Sequence, residues 1–227
     1  MLETLRSSNA VEVVGLVIST RVLSPRYGFL RGAWEQYRKS GLRYTVYLGC
    51  ALARSLPAAG IASLSTRDIN SEACRRFIAE QRPELLVSAF FNQRIGEAAC
   101  ALAPAVNIHP SLLPASKGVD PVFYASLRDA PLGVTLHRIS AELDSGRIIA
   151  QQKVSRLLGQ SVLAATVRLY ALGAQILVNS LDKVLDSGVA QSGAGSYDSW
   201  PQRGDVAALR RKGVRLVRLR DLLSRGS

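Results

Sequence analysis

Histidine and cysteine are scarce in this sequence of 227 residues, which has two histidines and three cysteines. The cysteines, Cys50, Cys74 and Cys100, are odd in number, lie far apart and lack the paired spacings typical of zinc sites. We therefore expect free thiols, as in a protein of the reducing cytoplasm, and no bound metal.

Long apolar runs are also missing. No stretch approaches the ~18 apolar residues of a membrane span, and the N-terminus lacks the pattern of a secretory signal. The length is enough for one α/β domain with a sizeable core. These features favour a cytoplasmic globular protein, and they do not indicate its oligomeric state.

Acidic residues are few, 17 against 29 lysines and arginines, and the excess is concentrated in two segments. Residues 21–54 carry seven basic residues against one acidic residue, a balance of +6, and residues 201–227 carry eight against two, also +6. Such segments bind phosphate, nucleic acid or anionic lipid, or they are solvated arginines on helix faces. The aromatic residues interleaved within 21–56 leave the same choice, between a membrane or nucleic-acid surface and the edge of a core.

Apolar runs and helix signals alternate along the chain. β-branched and apolar runs predict strands at 11–19, 60–64 and 85–90, at a segment ending at His109, and at 134–139 and 147–154. Capping residues and prolines predict helices at 2–10, 70–81, 94–102, 121–128 and 161–185. This alternation is typical of a mostly parallel sheet with helices on both faces.

The sequence NIHPSLLP at 107–114 follows the apolar run 101–106. If that run ends as a strand, its period of two places the side chains of Asn107 and His109 on one face. Pro110 then ends the strand, because proline has no N–H for the ladder. An amide and an imidazole would therefore lie together at the carboxyl end of a strand, where open α/β sheets bind ligands.

The second histidine, His137, belongs to GVTLH at 133–137, and Asp144 follows in the turn sequence LDSG at 143–146. Taken alone, Asp144 is most simply a turn residue, and His137 either shapes a site or packs beside one. Ser111 could hold the turn after His109 through a hydrogen bond to the backbone.

Four blocks, NIHPSLLP, GVDP at 118–121, GVTLH and LDSG, together resemble the signature of the folate-dependent formyltransferases. That superfamily includes glycinamide ribonucleotide, methionyl-tRNA and sugar N-formyltransferases, and the resemblance covers roughly residues 60–187. It implies a Rossmann-like α/β fold and formyl transfer from 10-formyltetrahydrofolate to a primary amine of a small molecule. It also implies that Asn107, His109 and Asp144 are the catalytic residues.

The chemistry of these residues suits that reaction. Attack of an amine on the formyl carbon produces an oxyanion, which the Asn107 amide could stabilise by hydrogen bonding. His109 could carry protons, since an imidazole changes charge near neutral pH. Asp144 could orient His109, stabilise its charged form or hold a relay water.

The resemblance further implies a folate site between two loops. The first follows the strand at 85–90 and the second precedes Asp144. The residues expected to contact the pterin are Phe91, Asn92, Gln93, Arg94, Ile95, Ile139, Ala141, Glu142 and Leu143. Their backbone groups can pair with the pterin edge, while the isoleucine and leucine side chains cover its ring.

We expect a catalytic domain at 1–188 and a linker with a basic extension at 189–227. The family normally opens with an interior strand that has no counterpart here, so we also expect Met1 not to be the start of a complete domain. Two other functions remain open: hydrolysis of formyltetrahydrofolate, and a non-catalytic module that binds anions through its basic segments.

Overall fold

A computed structural model describes residues 1–20, 34, 37–38, 41–42, 45–46, 60–91, 93–155, 160–184, 188–193 and 195–223. Most of the first basic segment, 21–54, therefore lies outside the described residues. In chain order the elements are α1 (Leu2–Arg6), β1 (Gly15–Ser19), β2 (Ala62–Thr66), α2 (Glu72–Gln81), β3 (Leu86–Ala89), α3 (Glu97–Cys100), β4 (Ala105–His109), β5 (Ser116–Gly118), α4 (Pro121–Arg128), β6 (Leu132–Arg138), β7 (Ile148–Val154), α5 (Val162–Val178), α6 (Leu181–Val184), β8 (Ser196–Asp198), α7 (Arg203–Arg211) and α8 (Leu219–Leu223).

The strands β1 and β2 pair in parallel, and α2 contacts both. Ser71 caps α2 by accepting a hydrogen bond from the Cys74 N–H. The helix ends at Gln81, Arg82 takes a left-handed conformation, and Pro83 follows directly. Ile69, Cys74 and Ile78 form a small core beneath these strands. This part of the chain follows the helix and strand order that the sequence predicted.

The four remaining long strands form one sheet in the order β3-β4-β6-β7. The pair β3 and β4 is parallel, whereas β6 runs antiparallel to both β4 and β7. Every residue of β6 from Leu132 to His137 is buried. The helix α5 covers one face of this strand, and on the other face Thr135 bonds to the backbone of Ser111 and Leu113. The predicted α/β fold class is confirmed, with three parallel and two antiparallel strand pairs among the described residues.

The main core lies between this sheet and the helices α4 and α5. It includes Val106, Ile108, Phe123, Val134 and Leu169. A Cβ at Gly173 would overlap the side chain of Ile108, so the absence of a side chain there lets α5 approach β4 closely.

The single long helix predicted for 161–185 is wrong in its C-terminal part. Ser161 caps α5 as expected, but α5 ends at Val178 and a separate helix, α6, begins at Leu181. The intervening residues, Asn179 and Ser180, are poor helix formers because their side chains compete for backbone hydrogen bonds.

The C-terminal segment packs onto the same core. β8 pairs in parallel with β5, and Val206 and Leu209 of α7 join the main core. In this segment Arg203 donates to the Arg38 carbonyl, and Lys212 pairs with Asp129. Within the described ranges, no helix is both long and apolar enough to cross a membrane.

Candidate active site

Asn107 and His109 lie at the carboxyl end of β4, with the one-residue spacing that places both on the same face. His109 is buried, with 4% of its surface exposed. The chain then turns sharply, since the Ser111 N–H donates to the His109 carbonyl at 2.8 Å. The Ser111 hydroxyl donates to the Ser116 carbonyl at 2.5 Å, which is the structural role expected for Ser111.

His137 lies directly across from Asn107, because β4 and β6 pair in antiparallel register at these two residues. His137 Nδ1 is 2.8 Å from the Arg138 carbonyl oxygen, which can only accept, so Nδ1 carries the proton. Nε2 is then an acceptor in the neutral ring, and it lies 3.1 Å from Asn107 Nδ2. This bond fixes which way the Asn107 amide faces.

The same reasoning assigns the proton of His109. Its Nε2 lies 3.0 Å from the Ser116 carbonyl oxygen and must donate to it. In the neutral ring, Nδ1 therefore carries a lone pair. This atom faces Asp144, whose Oδ1 is 3.5 Å away, while the same Oδ1 lies 3.8 Å from His137 Nε2.

Asp144 sits on a turn in a left-handed conformation, with φ of 53°. Aspartate tolerates this region better than most residues, although the conformation is still sparsely populated. Its Oδ2 accepts a hydrogen bond of 2.9 Å from the Gly118 N–H, which leaves Oδ1 directed at the two histidines. The carboxylate is thus held by the backbone of β5.

Both imidazoles are kept neutral by their surroundings. Burial lowers the pKa of His109 below its ordinary value, and the nearby Asp144 carboxylate and the Ser116 carbonyl only partly oppose this shift. Burial, and after it repulsion from His109 when that ring is protonated, lowers the pKa of His137 to about 4. At neutral pH the site therefore presents a base, His109 Nδ1, next to a carboxylate that would stabilise its protonated form.

Asp120 is a further titratable group at this end of the sheet. It precedes α4 by one residue, and it follows Gly118, the donor to Asp144, by two. Burial raises the pKa of the Asp120 carboxyl to about 6. Burial also raises the pKa of Tyr170, and the charges of Asp120 and Asp144 both add to that rise. Tyr170 is therefore close enough to both carboxylates to interact with them electrostatically.

The first predicted folate loop follows β3, on one side of β4. Phe91 and Ile95 pack against the small core of Ile69, Cys74 and Ile78. Gln93 is occupied by protein contacts: it donates to the Ser19 hydroxyl at 2.8 Å and accepts from the Ile69 N–H at 3.0 Å. Arg94 is exposed, its carbonyl accepts from the Asn70 amide, and Asn92 lies outside the described residues.

The second predicted loop follows β6, on the other side of β4. The Ile139 N–H donates to the Ala105 carbonyl at 2.9 Å, so this residue extends the sheet. Ala141, Glu142 and Leu143 are exposed, with Leu143 47% exposed. The two loops thus flank the strand that carries Asn107 and His109.

Several groups at the site have no signal in the local sequence. The Ser116 carbonyl and the Gly118 N–H are backbone groups, and Lys117 between them contacts the Ser145 hydroxyl at 2.7 Å through its ammonium group.

Phe90 adopts a left-handed conformation with φ of 51°, is 74% exposed and meets the Tyr170 ring edge-on at 5.8 Å. Phe90 thus precedes the first predicted folate loop in a sparsely populated conformation.

Two observations concern other kinds of site. In the part of the chain that the structure describes, no three His, Cys, Asp or Glu side chains are grouped so as to bind a metal ion. A cavity of about 440 Å³ lies in the basic C-terminal segment and is lined by Arg215, Arg218, Leu219 and Arg220. The predicted contact of residues 201–227 with an anionic surface stays a prediction.

Comparison with known proteins shows the family of this chain. The formyl transferase family model matches residues 50–181, more than half of the chain. A methionyl-tRNA formyltransferase of Roseiflexus sp. (strain RS-1) is 36% identical over 126 residues, which are 54% of this chain and 39% of that protein. One from Limosilactobacillus fermentum is 32% identical over 151 residues, 65% of this chain and 46% of that protein. The chain thus spans less than half the length of these relatives.

Solved structures show the same fold at low sequence identity. A sugar N-formyltransferase from Shewanella sp. superposes with a TM-score of 0.54 at 20% identity, covering 86% of each chain. The formyltransferase PseJ from Anoxybacillus kamchatkensis, solved with a formamido sugar nucleotide and tetrahydrofolate, gives a TM-score of 0.51 at 21% identity, covering 82% of this chain and 85% of that one. With a matching family model, related sequences and the shared fold, the chain belongs to the formyl transferase family.

Proposed function

We propose that this protein transfers a formyl group from 10-formyltetrahydrofolate to a primary amine of a small-molecule acceptor. The observation that carries the proposal is the convergence of Asn107, His109 and Asp144, with His109 Nδ1 unprotonated and directed at the Asp144 carboxylate. Such an arrangement supplies a hydrogen-bond donor, a base and a stabilising charge, which are the three functions that acyl transfer to an amine requires.

The reaction begins when the acceptor amine attacks the formyl carbon and forms a new C–N bond. The formyl oxygen becomes an oxyanion. Asn107 uses one amide N–H to bind His137, so its second N–H is available to donate to this oxygen. His137 thereby keeps the amide nitrogen, rather than its oxygen, facing the developing negative charge.

Proton transfer completes the reaction. His109 Nδ1 takes the proton released by the attacking nitrogen, and the imidazolium pairs with Asp144 Oδ1. The same proton then passes to N10 of the folate as the C–N10 bond breaks. The products are the N-formylated acceptor and tetrahydrofolate, and no group of the protein changes its final protonation state.

Folate binding is proposed at the loops 91–95 and 139–143. Support comes from their positions on either side of β4 and from the exposure of Ala141, Glu142 and Leu143. Gln93 is engaged with Ser19 and Ile69, so it would support the loop rather than bind the pterin. Tetrahydrofolate is present in the PseJ complex, which shares this fold.

The decisive experiment supplies 10-formyltetrahydrofolate with a panel of amines and follows the release of tetrahydrofolate. The panel includes amino sugars, their nucleotide derivatives, amino acids and methionyl-tRNA. Release that depends on a small amine supports the proposal. Turnover with methionyl-tRNA alone would contradict the small-molecule acceptor, and release that is equal without any amine would indicate hydrolysis.

Asp144→Asn tests the site itself, since it removes the charge but keeps an oxygen for the Gly118 N–H and a side chain that tolerates a left-handed backbone. We expect kcat to fall about 10²-fold or more. Asp182→Asn, at an exposed position on α6, is the matched control and should keep full activity. Equal activity in the two variants would remove Asp144 from the mechanism.

A further inference from the structure

We infer that the C-terminal segment completes the active site, with Gln191 acting as a positioning residue that holds the turn of Asp144. This inference rests on the proposed function, because it gives Asp144 a role in the reaction. The residues concerned are 188–193 and 195–198, here called the return segment. They lie beyond residue 181, where the family match ends.

Gln191 forms two hydrogen bonds to the turn that contains Asp144. Its Nε2 donates to the Asp144 carbonyl at 3.0 Å and to the Gly146 carbonyl at 2.7 Å. The side-chain oxygen of Gln191 is buried and has no hydrogen-bond partner among the described residues, so the amide serves only as a donor to this turn.

The turn cannot easily hold itself in this shape. Asp144 has a left-handed backbone, and a Cβ at Gly146 would overlap the carbonyl of Arg138. The turn is therefore pressed against the end of β6 in a sparsely populated conformation. The two bonds from Gln191 satisfy carbonyl oxygens on both sides of Ser145 and fix the direction in which the Asp144 carboxylate leaves the backbone.

The return segment also pairs with the strand that contacts His109 and Asp144. β8 pairs with β5 in the register Ser116 to Ser196 and Gly118 to Asp198. Those two β5 residues supply the acceptor for His109 Nε2 and the donor to Asp144 Oδ2. A Cβ at Gly118 would overlap the Asp198 carbonyl, so the two strands can approach this closely only with glycine at that position.

An ion pair between the exposed Arg128 and the buried Asp198 fixes β8 in this position. Arg128 of α4 binds both carboxylate oxygens of Asp198, at 2.7 and 2.6 Å, and only 8% of Asp198 is exposed. Bidentate charge-assisted bonds of this kind are strong and directional. The Asp198 carbonyl also accepts from the Val119 N–H at 3.1 Å, one residue beyond the donor to Asp144.

Gln191 is thus separated from the reacting groups by the turn that it holds. Its side chain reaches backbone carbonyls and neither histidine. The loss of its amide should leave every reacting group present but let the Asp144 carboxylate move. The property to measure is therefore the coupling between Asp144 and its two partners, His109 and the Gly118 N–H.

The chain offers a direct measurement, because its two histidines are both in the site. We would titrate the imidazole NMR signals of the full 227-residue chain, assign them with His137→Gln, and measure hydrogen exchange at the Gly118 amide. The test variant is Gln191→Met, which keeps the length and removes the donor. The matched control is Gln202→Met, which removes a side-chain bond to the Trp200 carbonyl in the same C-terminal segment.

The expected result has a defined direction. The Asp144 carboxylate raises the pKa of His109 against the effect of burial, so a displaced carboxylate lets that pKa fall further. We expect Gln191→Met to lower the pKa of His109 by about half a unit, less than Asp144→Asn does. Exchange at the Gly118 amide should become about tenfold faster, and Gln202→Met should change neither property.

These measurements need no folate and no turnover. If the wild-type chain fails to transfer formyl groups, the proposed function fails while the structural coupling can still be read. Where transfer is observed, Gln191→Met should lower kcat about tenfold with little change in KM, as loss of positioning predicts. An unchanged His109 pKa together with unchanged Gly118 exchange would overturn the inference.

A second variant covers the case in which Gln191→Met does not fold. Arg128→Met releases β8 from α4 without touching the Asp144 turn, so it should also speed exchange at the Gly118 amide and lower the His109 pKa. A folded Arg128→Met variant with wild-type values for both would contradict the role of the return segment.

Discussion

The groups proposed for proton transfer and the loops proposed for folate binding are built in different ways. His109 and His137 are almost fully buried, and each ring nitrogen faces a defined partner. By contrast, Ala141, Glu142 and Leu143 are exposed. The difference follows from their tasks: groups that move protons must be oriented before the substrate arrives, whereas a binding loop must present its backbone to a ligand that enters from solvent.

The first way to test this contrast is to remove the base. His109→Gln keeps a polar side chain in the site but has no lone-pair nitrogen to accept a proton. We expect kcat to fall about 10²–10⁴-fold, with folate affinity nearly unchanged because the exposed loops are not altered. Steady-state kinetics and binding of 5-formyltetrahydrofolate measure the two effects. A variant within a few-fold of wild type would remove His109 from the reaction.

The second test concerns the orientation of the Asn107 amide. His137→Leu preserves bulk in the buried site but removes the acceptor for Asn107 Nδ2. We expect kcat to fall about 10–100-fold, since a donor that rotates freely spends less time facing the oxyanion. His137→Gln offers a carbonyl oxygen to the same amide and should restore part of the rate. No difference between the two variants would show that His137 only fills space.

The third test asks whether the charged carboxylate of Asp120 destabilises the folded protein. Its pKa is raised from 3.8 to about 6, so above pH 6 the folded protein holds a poorly solvated carboxylate that the unfolded chain solvates freely. Asp120→Asn should therefore raise the free energy of unfolding at pH 8 by about 2–3 kcal/mol, and the gain should vanish as the pH falls from 6 towards 4. Urea unfolding at several pH values measures it, with exposed Asp182→Asn as the control. A gain that persisted at pH 4 would contradict the assignment.

The smallest expected effect lies in the exposed loop. Leu143→Ser should weaken binding of 5-formyltetrahydrofolate about 5–30-fold, because about 1–2 kcal/mol of apolar burial against the pterin is lost. Stability should change by less than about 0.5 kcal/mol, as is usual at exposed positions. Val167→Ser, on α5 and 43% exposed, is the control and should leave folate affinity unchanged. Equal affinity in both variants would place the pterin elsewhere.

The residues that the sequence predicted correctly are those whose signal is local. The spacing of Asn107 and His109 at the end of an apolar run predicts that they share a face of β4, and Pro110 predicts where the strand ends. Capping residues near positions 70 and 160 predict where α2 and α5 begin, and in the structure Ser71 and Ser161 are the caps. The proximity of Asp144 to His109 came from the resemblance, since spacing alone allows a plain turn residue.

The single helix predicted for 161–185 was wrong because a local interruption was outweighed by a long apolar pattern. The apolar pattern continues through 161–185, but the helix stops at Asn179 and Ser180. Two polar residues change such a pattern little, although their side chains compete for the backbone hydrogen bonds of a helix. The role of Gln93 was also not visible, because its partners, Ser19 and Ile69, are distant in sequence.

The sequence by itself determined most of the longer strands and helices, the end of β4 and the chemical types that meet there, because each depends on residues within a few positions of one another. Tertiary structure decided the rest. The partnership of Asn107 with His137 follows from an antiparallel register, the proton position on each imidazole follows from a backbone carbonyl, and Gln191 reaches Asp144 across 47 residues of chain. Strand pairing and backbone hydrogen bonds form only when distant segments fold together, and a backbone carbonyl or N–H has no letter of its own in a sequence.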